Sequence, residues 1–148
     1  MLRRALPVFA LLLALALGAC GDDSLTADQL HAQASAICAR TAAATDRIPV
    51  PSTPEQGDGF LQAGIARLRP AVAQLRALKA PQDVRKRYDR AVQLAGQEVD
   101  LIGRHERAIA SGDDVIDTFR RLQAALTRLT MEEDAYWQGL GIDACVRR

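Results

Sequence analysis

The side chains in this chain that could do chemistry are two histidines, three cysteines and a scatter of carboxylates. Cys20, Cys38 and Cys145 lie far apart, with no C-x-x-C and no histidine at ligand spacing, so neither a zinc site nor a redox dithiol is spelled out. A dinuclear carboxylate centre needs a Glu from each of two helices and Glu-x-x-His from two others. His105 follows Ile102 by three, and Asp28-x-x-His31 stands alone near a helix start. Haem would lack C-x-x-C-H and would have to use His105 with Met131. A serine nucleophile on a strained turn, G-x-S-x-G, is missing too. Glu132-Glu133-Asp134 reads as a solvated helical face rather than a loose cation site. The expectation is a protein that is not an enzyme and uses no metal and no cofactor.

The elements that must position these residues are helices. Thr26 followed by Gln29 is a capping-box pattern. Leu30, Ala34, Ile37, Thr41, Ala44 and Ile48 then recur at alternating four and three, which predicts a helix over 27–47 with a thin, alanine-rich stripe. Three prolines, Pro49, Pro51 and Pro54, stop it in extended backbone. A second helix starts as late as Phe60, with the stripe Leu61, Ile65, Leu68, Val72 and Leu75 ending at Leu78. Pro70 falls off that stripe, so a kink toward solvent is expected there rather than a break.

Ala80-Pro81 punctuates, and Pro81 can open the third helix in its first turn. Its stripe is Tyr88, Val92, Ala95, Val99, Ile102, Glu106 and Ile109, widened by Leu94 and Leu101. Ser111-Gly112 ends it, and Asp113 or Asp114 caps the fourth helix. There Val115, Phe119, Leu122, Leu126, Leu129, Glu133, Tyr136 and Leu140 repeat, and Gly139 and Gly141 close it. The fold class is all-α, an antiparallel up-down four-helix bundle. In that hairpin Ile109 faces Val115, so Glu106 faces Phe119 and Glu133 faces Val92. The two acids stand about 20 Å apart along the axis and cannot share a metal. Each is expected at the rim or paired with an arginine.

The N-terminal segment has a different character. Arg3 and Arg4 precede an apolar run over 6–17, too short for a span of about 20 residues and followed by small residues, as in a secretory signal. Leu17-Gly18-Ala19-Cys20 resembles the lipobox of bacterial lipoproteins, in which the cysteine becomes the first mature residue and carries acyl chains. The resemblance implies a signal peptide over 1–19, lipidation of Cys20, a polar tether through residue 25 and a folded domain over 26–148. The product would be attached to a cell membrane through lipid on Cys20 and would face outside the cytoplasm.

With Cys20 assigned to lipid, Cys38 and Cys145 are left in a compartment where disulfides persist, and one bridge between them follows. A closed loop of ~100 residues stabilises by at most about 4 to 5 kcal/mol. The leader removes Arg3 and Arg4 from 19 Lys+Arg, leaving 17 against 18 Asp+Glu. That balance lacks the basic excess of a nucleic-acid binder.

Ile37-Cys38-Ala39-Arg40, Leu75-x-x-Leu78-x-Ala80-Pro81, Arg87-Tyr88-Asp89-Arg90 and Gly139-Leu140-Gly141 before Cys145 together resemble a group of small uncharacterised bacterial lipoproteins, over roughly residues 36–146. The resemblance implies a secreted helical domain with a cysteine pair and brings no activity with it. If the first helix leaves the membrane, the turn between the second and third points back toward it. Lys79, Arg85, Lys86 and Arg87 there, with Arg147 and Arg148, would meet anionic headgroups, each worth about 1 kcal/mol. The expected role is non-catalytic binding or scaffolding in the cell envelope, with an unidentified envelope protein as a possible partner. The alternative is a carrier holding a small apolar ligand or metal between the helices. Scaffolding requires a filled core; a carrier requires a cavity.

Overall fold

The computed structural model describes residues 24–146; Cys20, Arg147 and Arg148 lie outside them. The described chain is helical, with four long helices, α1 (Ala27–Thr45), α2 (Gly57–Ala77), α3 (Arg85–Ala110) and α4 (Val115–Gly139), and no strand among the described residues. One 3-10 turn, Pro54–Gln56, leads into α2, and another, Asp143–Cys145, follows α4.

The predicted helix starts and stops hold where side-chain chemistry sets them. The Thr26 hydroxyl accepts from Gln29 N–H at 3.2 Å, and Gln29 Oε1 accepts from Thr26 N–H at 2.9 Å. Asp114 caps α4 by accepting from Asp117 N–H at 2.8 Å. Gly112 and Gly141 take φ of +101° and +69° beyond α3 and α4, conformations that penalise a Cβ.

Two starts differ from expectation. Helix α2 begins at Gly57 rather than Phe60, because the preceding 3-10 turn feeds straight into it. Helix α3 begins at Arg85, since residues 81–84 are spent on a turn closed by Val84 N–H to Pro81 carbonyl at 3.2 Å. Helix α2 runs unbroken past Pro70, which is exposed as its place off the stripe requires.

Two apolar clusters fill the interior. One joins Leu30, Ala34 and Ile37 of α1 to Ala71, Leu75, Tyr88, Ala91, Val92, Trp137 and Ile142. The other joins Leu61, Ile65, Val72, Ala95, Val99, Ile102 and Leu122 and contains nothing from α1. The alanine-rich stripe of α1 stops being buried after Ile37; Thr41, Ala44 and Ile48 are half-exposed. A disulfide links Cys38 to Cys145, with Cα atoms 5.0 Å apart across 107 residues, and fastens the C-terminal turn against α1.

Candidate functional site: a cavity floored by two glutamates

Where the α1 stripe stops, a partly enclosed cavity of about 660 Å3 opens between all four helices and the C-terminal turn. That size lies within the ~300–1,000 Å3 of small-molecule sites. Its apolar wall comes from α2 and α3, through Leu68, Val72, Leu75, Ala95 and Val99. On the opposite side are Thr41, Thr45 and Asp46 of α1, the Cys38–Cys145 bridge and Asp143. Both threonine hydroxyls donate back to their own helix, Thr41 to Ile37 carbonyl at 2.8 Å and Thr45 to Ala42 carbonyl at 2.9 Å. They present apolar methyls and oxygen lone pairs, with their protons already used.

The floor carries Glu98 of α3 and Glu133 of α4, 3% and 5% exposed. Burying a carboxylate is expensive unless it is compensated, and the group then gains a proton instead. Burial pushes the Glu133 carboxyl up to about 7; the Trp137 hydrogen bond pulls the other way and the Asp134 charge adds to the rise. Trp137 Nε1–H donates to Glu133 Oε1 at 2.9 Å, one helical turn along α4. The indole, 1% exposed, meets the Tyr88 ring edge-on with centroids 5.9 Å apart. Tyr88 Oη–H in turn donates to Leu75 carbonyl at 2.8 Å, and burial raises its phenol above the ordinary range. This chain of contacts fixes Glu133 from below. Among the described residues that line the cavity, four carry carboxyl groups and none is Lys, Arg or His.

The expectation of a rim or solvated position for Glu133 is therefore corrected. It is neither at a rim nor on a solvated face, because its stripe position turns it inward and the missing apolar cover from α1 leaves it a polar hollow to face. Its neighbours Glu132 and Asp134 do lie outward, Glu132 exposed and accepting from Arg90 Nη2 at 2.6 Å. Glu106 stays away from Glu133 and accepts from Gln62 Nε2 at 3.1 Å. The other candidate ligands are held separately. His31 Nε2 lies 2.8 Å from Gly141 carbonyl, His105 Nδ1 lies 2.9 Å from Leu101 carbonyl, and Met131 is exposed. Among the described residues no group of three or more His, Cys, Asp or Glu could hold a metal ion.

Glu98 escaped the sequence reading, although the signal was there. It stands four residues after Leu94 and seven after Ala91, on the second apolar row of α3. Trp137, four after Glu133, was equally legible as an i, i+4 partner.

Of the predicted basic residues, Lys79, Arg85, Lys86 and Arg87 lie in and just after the connection between α2 and α3. Lys79 sits just past α2 and its carbonyl accepts from Leu25 N–H at 2.8 Å. Arg85 and Lys86 open α3, with Arg85 Nε–H donating to Ala80 carbonyl at 3.2 Å. Arg87 Nη1–H donates to Gly139 carbonyl at 3.0 Å, a favourable place for a cation at the C-terminal end of α4. Compared with known proteins, the chain matches no family model, no curated protein and no solved structure. No helix of the described residues is long and apolar enough to cross a membrane.

Proposed function

We propose that this protein is a lipid-anchored binding protein of the bacterial cell envelope that carries a small ligand between its helices without catalysing a reaction on it. The observation that carries the reading is the cavity of about 660 Å3 with two buried glutamates at its floor. A scaffold has no need to keep a hollow whose walls lose packing contacts. Scaffolding is the second reading, favoured only by the exposed Val50 and Ile116 and a shallower hollow of about 310 Å3 along Pro51, Pro54 and Phe119.

The anchor in this proposal is acylated Cys20, in keeping with the lipobox resemblance and with membership of the small bacterial lipoprotein group. The helices run up and down, antiparallel. Three links support this: Gln62 to Glu106, Tyr88 to Leu75, and Arg87 to Gly139. The basic end rests on anionic headgroups, and Leu25 supports that orientation, since five residues after Cys20 it is bonded to Lys79. Equal binding of an unlipidated form to neutral and anionic liposomes would remove this part of the proposal.

The carrier reading is tested by extracting acylated protein purified from its membranes and weighing what comes out. Wild type is expected to yield near one equivalent of a small molecule. Thr41→Leu, which fills the cavity from the α1 side, is expected to yield little. Equal yields from both proteins, or none from either, would contradict it.

A further inference from the structure

We infer that the Cys38–Cys145 bridge is a redox latch on the cavity. Closed, it holds residues 143–146 as one wall; reduced by a dithiol, it lets that wall swing away and the ligand leave. The latch rests on the reading of the cavity as a ligand site and adds how the site opens. Asp143, Ala144, Cys145 and Val146 are consecutive residues of the lining, and Cys38 meets them from α1. The rest of the lining stands on the four long helices and the α1 cap Asp46, where each backbone is held by its own helical ladder.

The strap begins at a fixed point. Ile142 is 1% exposed, its N–H donates to Trp137 carbonyl at 3.0 Å, and His31 Nε2 lies 2.8 Å from Gly141 carbonyl. These contacts do not pass through the bridge. Beyond Ile142 the backbone bonds stay within the turn: Cys145 N–H to Ile142 carbonyl at 3.0 Å and Val146 N–H to Asp143 carbonyl at 3.1 Å. One turn of 3-10 helix is weak by itself. Asp143 and Ala144 are exposed, and Cys145 and Val146 only partly cover the edge of the first cluster. Segments with so few buried contacts are the first to open. The bridge meets α1 at Cys38, immediately after Ile37, where buried apolar contact from that helix ends. The covalent tie stands where α1 has no further hydrophobic grip.

Both cysteines are half-exposed, open to the thiol of a second protein. A thiolate of the dithiol attacks one sulfur of the bridge; the S–S bond breaks, and the other cysteine leaves as a thiolate and takes a proton. The second thiol of the reductant then displaces the first cysteine from the mixed disulfide. Two electrons and two protons pass to Cys38 and Cys145, and the dithiol ends as a disulfide.

The experiment uses full-length acylated protein in neutral phosphatidylcholine vesicles, with dithiothreitol as the dithiol. Trp137 is the single tryptophan of the chain and lines the cavity, so quenching of its emission by acrylamide reads how open the cavity is. Reduction is expected to raise the quenching constant severalfold while helical ellipticity stays, and oxidised glutathione is expected to restore the low value. Native mass of the same samples is expected to show the small-molecule adduct before reduction and not after. Leu61→Ala, which loosens the second cluster without touching the bridge, is expected to leave quenching low and the adduct in place.

An adduct kept after reduction, with quenching unchanged, would overturn the latch and leave the cavity reading standing. So would a bridge that excess dithiothreitol leaves intact in the folded protein. Loss of ellipticity on reduction would overturn it because the bridge would then hold the fold rather than a strap, and an equal rise in quenching for Leu61→Ala would reduce it to general loosening. An adduct missing from the oxidised protein would overturn the carrier reading, and release with it.

Discussion

The two apolar clusters of this molecule differ in how they are closed. At the end where Leu25 meets Lys79, α1 joins the other three helices and alanines permit close approach. Ala34 and Ala91 are fully buried, Trp137 fills the centre, and the disulfide locks the C-terminal turn over the top. At the other end three helices pack around Leu61, Ile65, Val99, Ile102 and Leu122, and α1 contributes nothing. The cavity forms at the junction, where α1 changes from Leu30, Ala34 and Ile37 to Thr41 and Thr45. A helix whose apolar stripe ends early leaves a place in the interior where polar groups can survive, and Glu98 and Glu133 occupy it.

This contrast can be broken most strongly at the disulfide. Replacing both Cys38 and Cys145 by Ala is expected to cost up to about 4 to 5 kcal/mol, read as a shift in the urea midpoint. The loss should fall on the α1 end, so amide exchange in α1 should rise far more than in α3 near Val99. Uniform loss of protection would mean that the two clusters form one cooperative unit.

Next in size is a pH effect confined to the junction. Glu133 holds its proton up to about 7 in the fold, against an ordinary 4.5. Its raised value means that the native state binds more protons between those limits. The contribution of Glu133 to the stability of the unliganded protein is therefore fully present below about pH 4.5 and is lost as pH rises through about 7, by roughly 3 kcal/mol. Burial sets this balance first; the Trp137 N–H opposes the rise and the charge of Asp134 on the same helix adds to it. Arg76 of α2 lies against Gly96 on the neighbouring helix, outside the lining. Glu133→Gln should flatten the profile between pH 5 and 8 when thermal midpoints are compared. An unchanged slope would move the titrating group elsewhere.

Smaller still, Thr41→Leu should stabilise by about 1 kcal/mol, by adding apolar burial and by replacing a β-branched residue with a better helix former. A loss of stability there would mean that the hollow is already filled in the folded protein. Asp114→Ala, remote from the junction, should cost about 1 kcal/mol through loss of the α4 cap, and should leave ligand binding untouched.

Much of this architecture could be read from residue spacing. The stripes of α2 and α3 predicted Leu61, Ile65, Val72, Tyr88, Val92 and Val99 as core, and all are buried. The capping residues Thr26 and Asp114 marked helix starts because their side chains bind the backbone locally. Where local chemistry did not decide, the reading drifted. Pro81 could open a helix but opens a turn, and α4 buries Trp137 more deeply than the predicted Tyr136. The site itself was hidden for a tertiary reason. Periodicity placed Glu133 on the inward stripe, yet an acid on an apolar face is ordinarily found at a rim. Only the early end of the α1 stripe, a relation between two distant segments, turns that position into the floor of a cavity.

The most direct measurement is the native mass of intact acylated protein, released gently from membranes. The account predicts one small molecule bound to each chain, over and above the acyl groups and with the mass of the Cys38–Cys145 bridge. A bare acylated chain would contradict the carrier account.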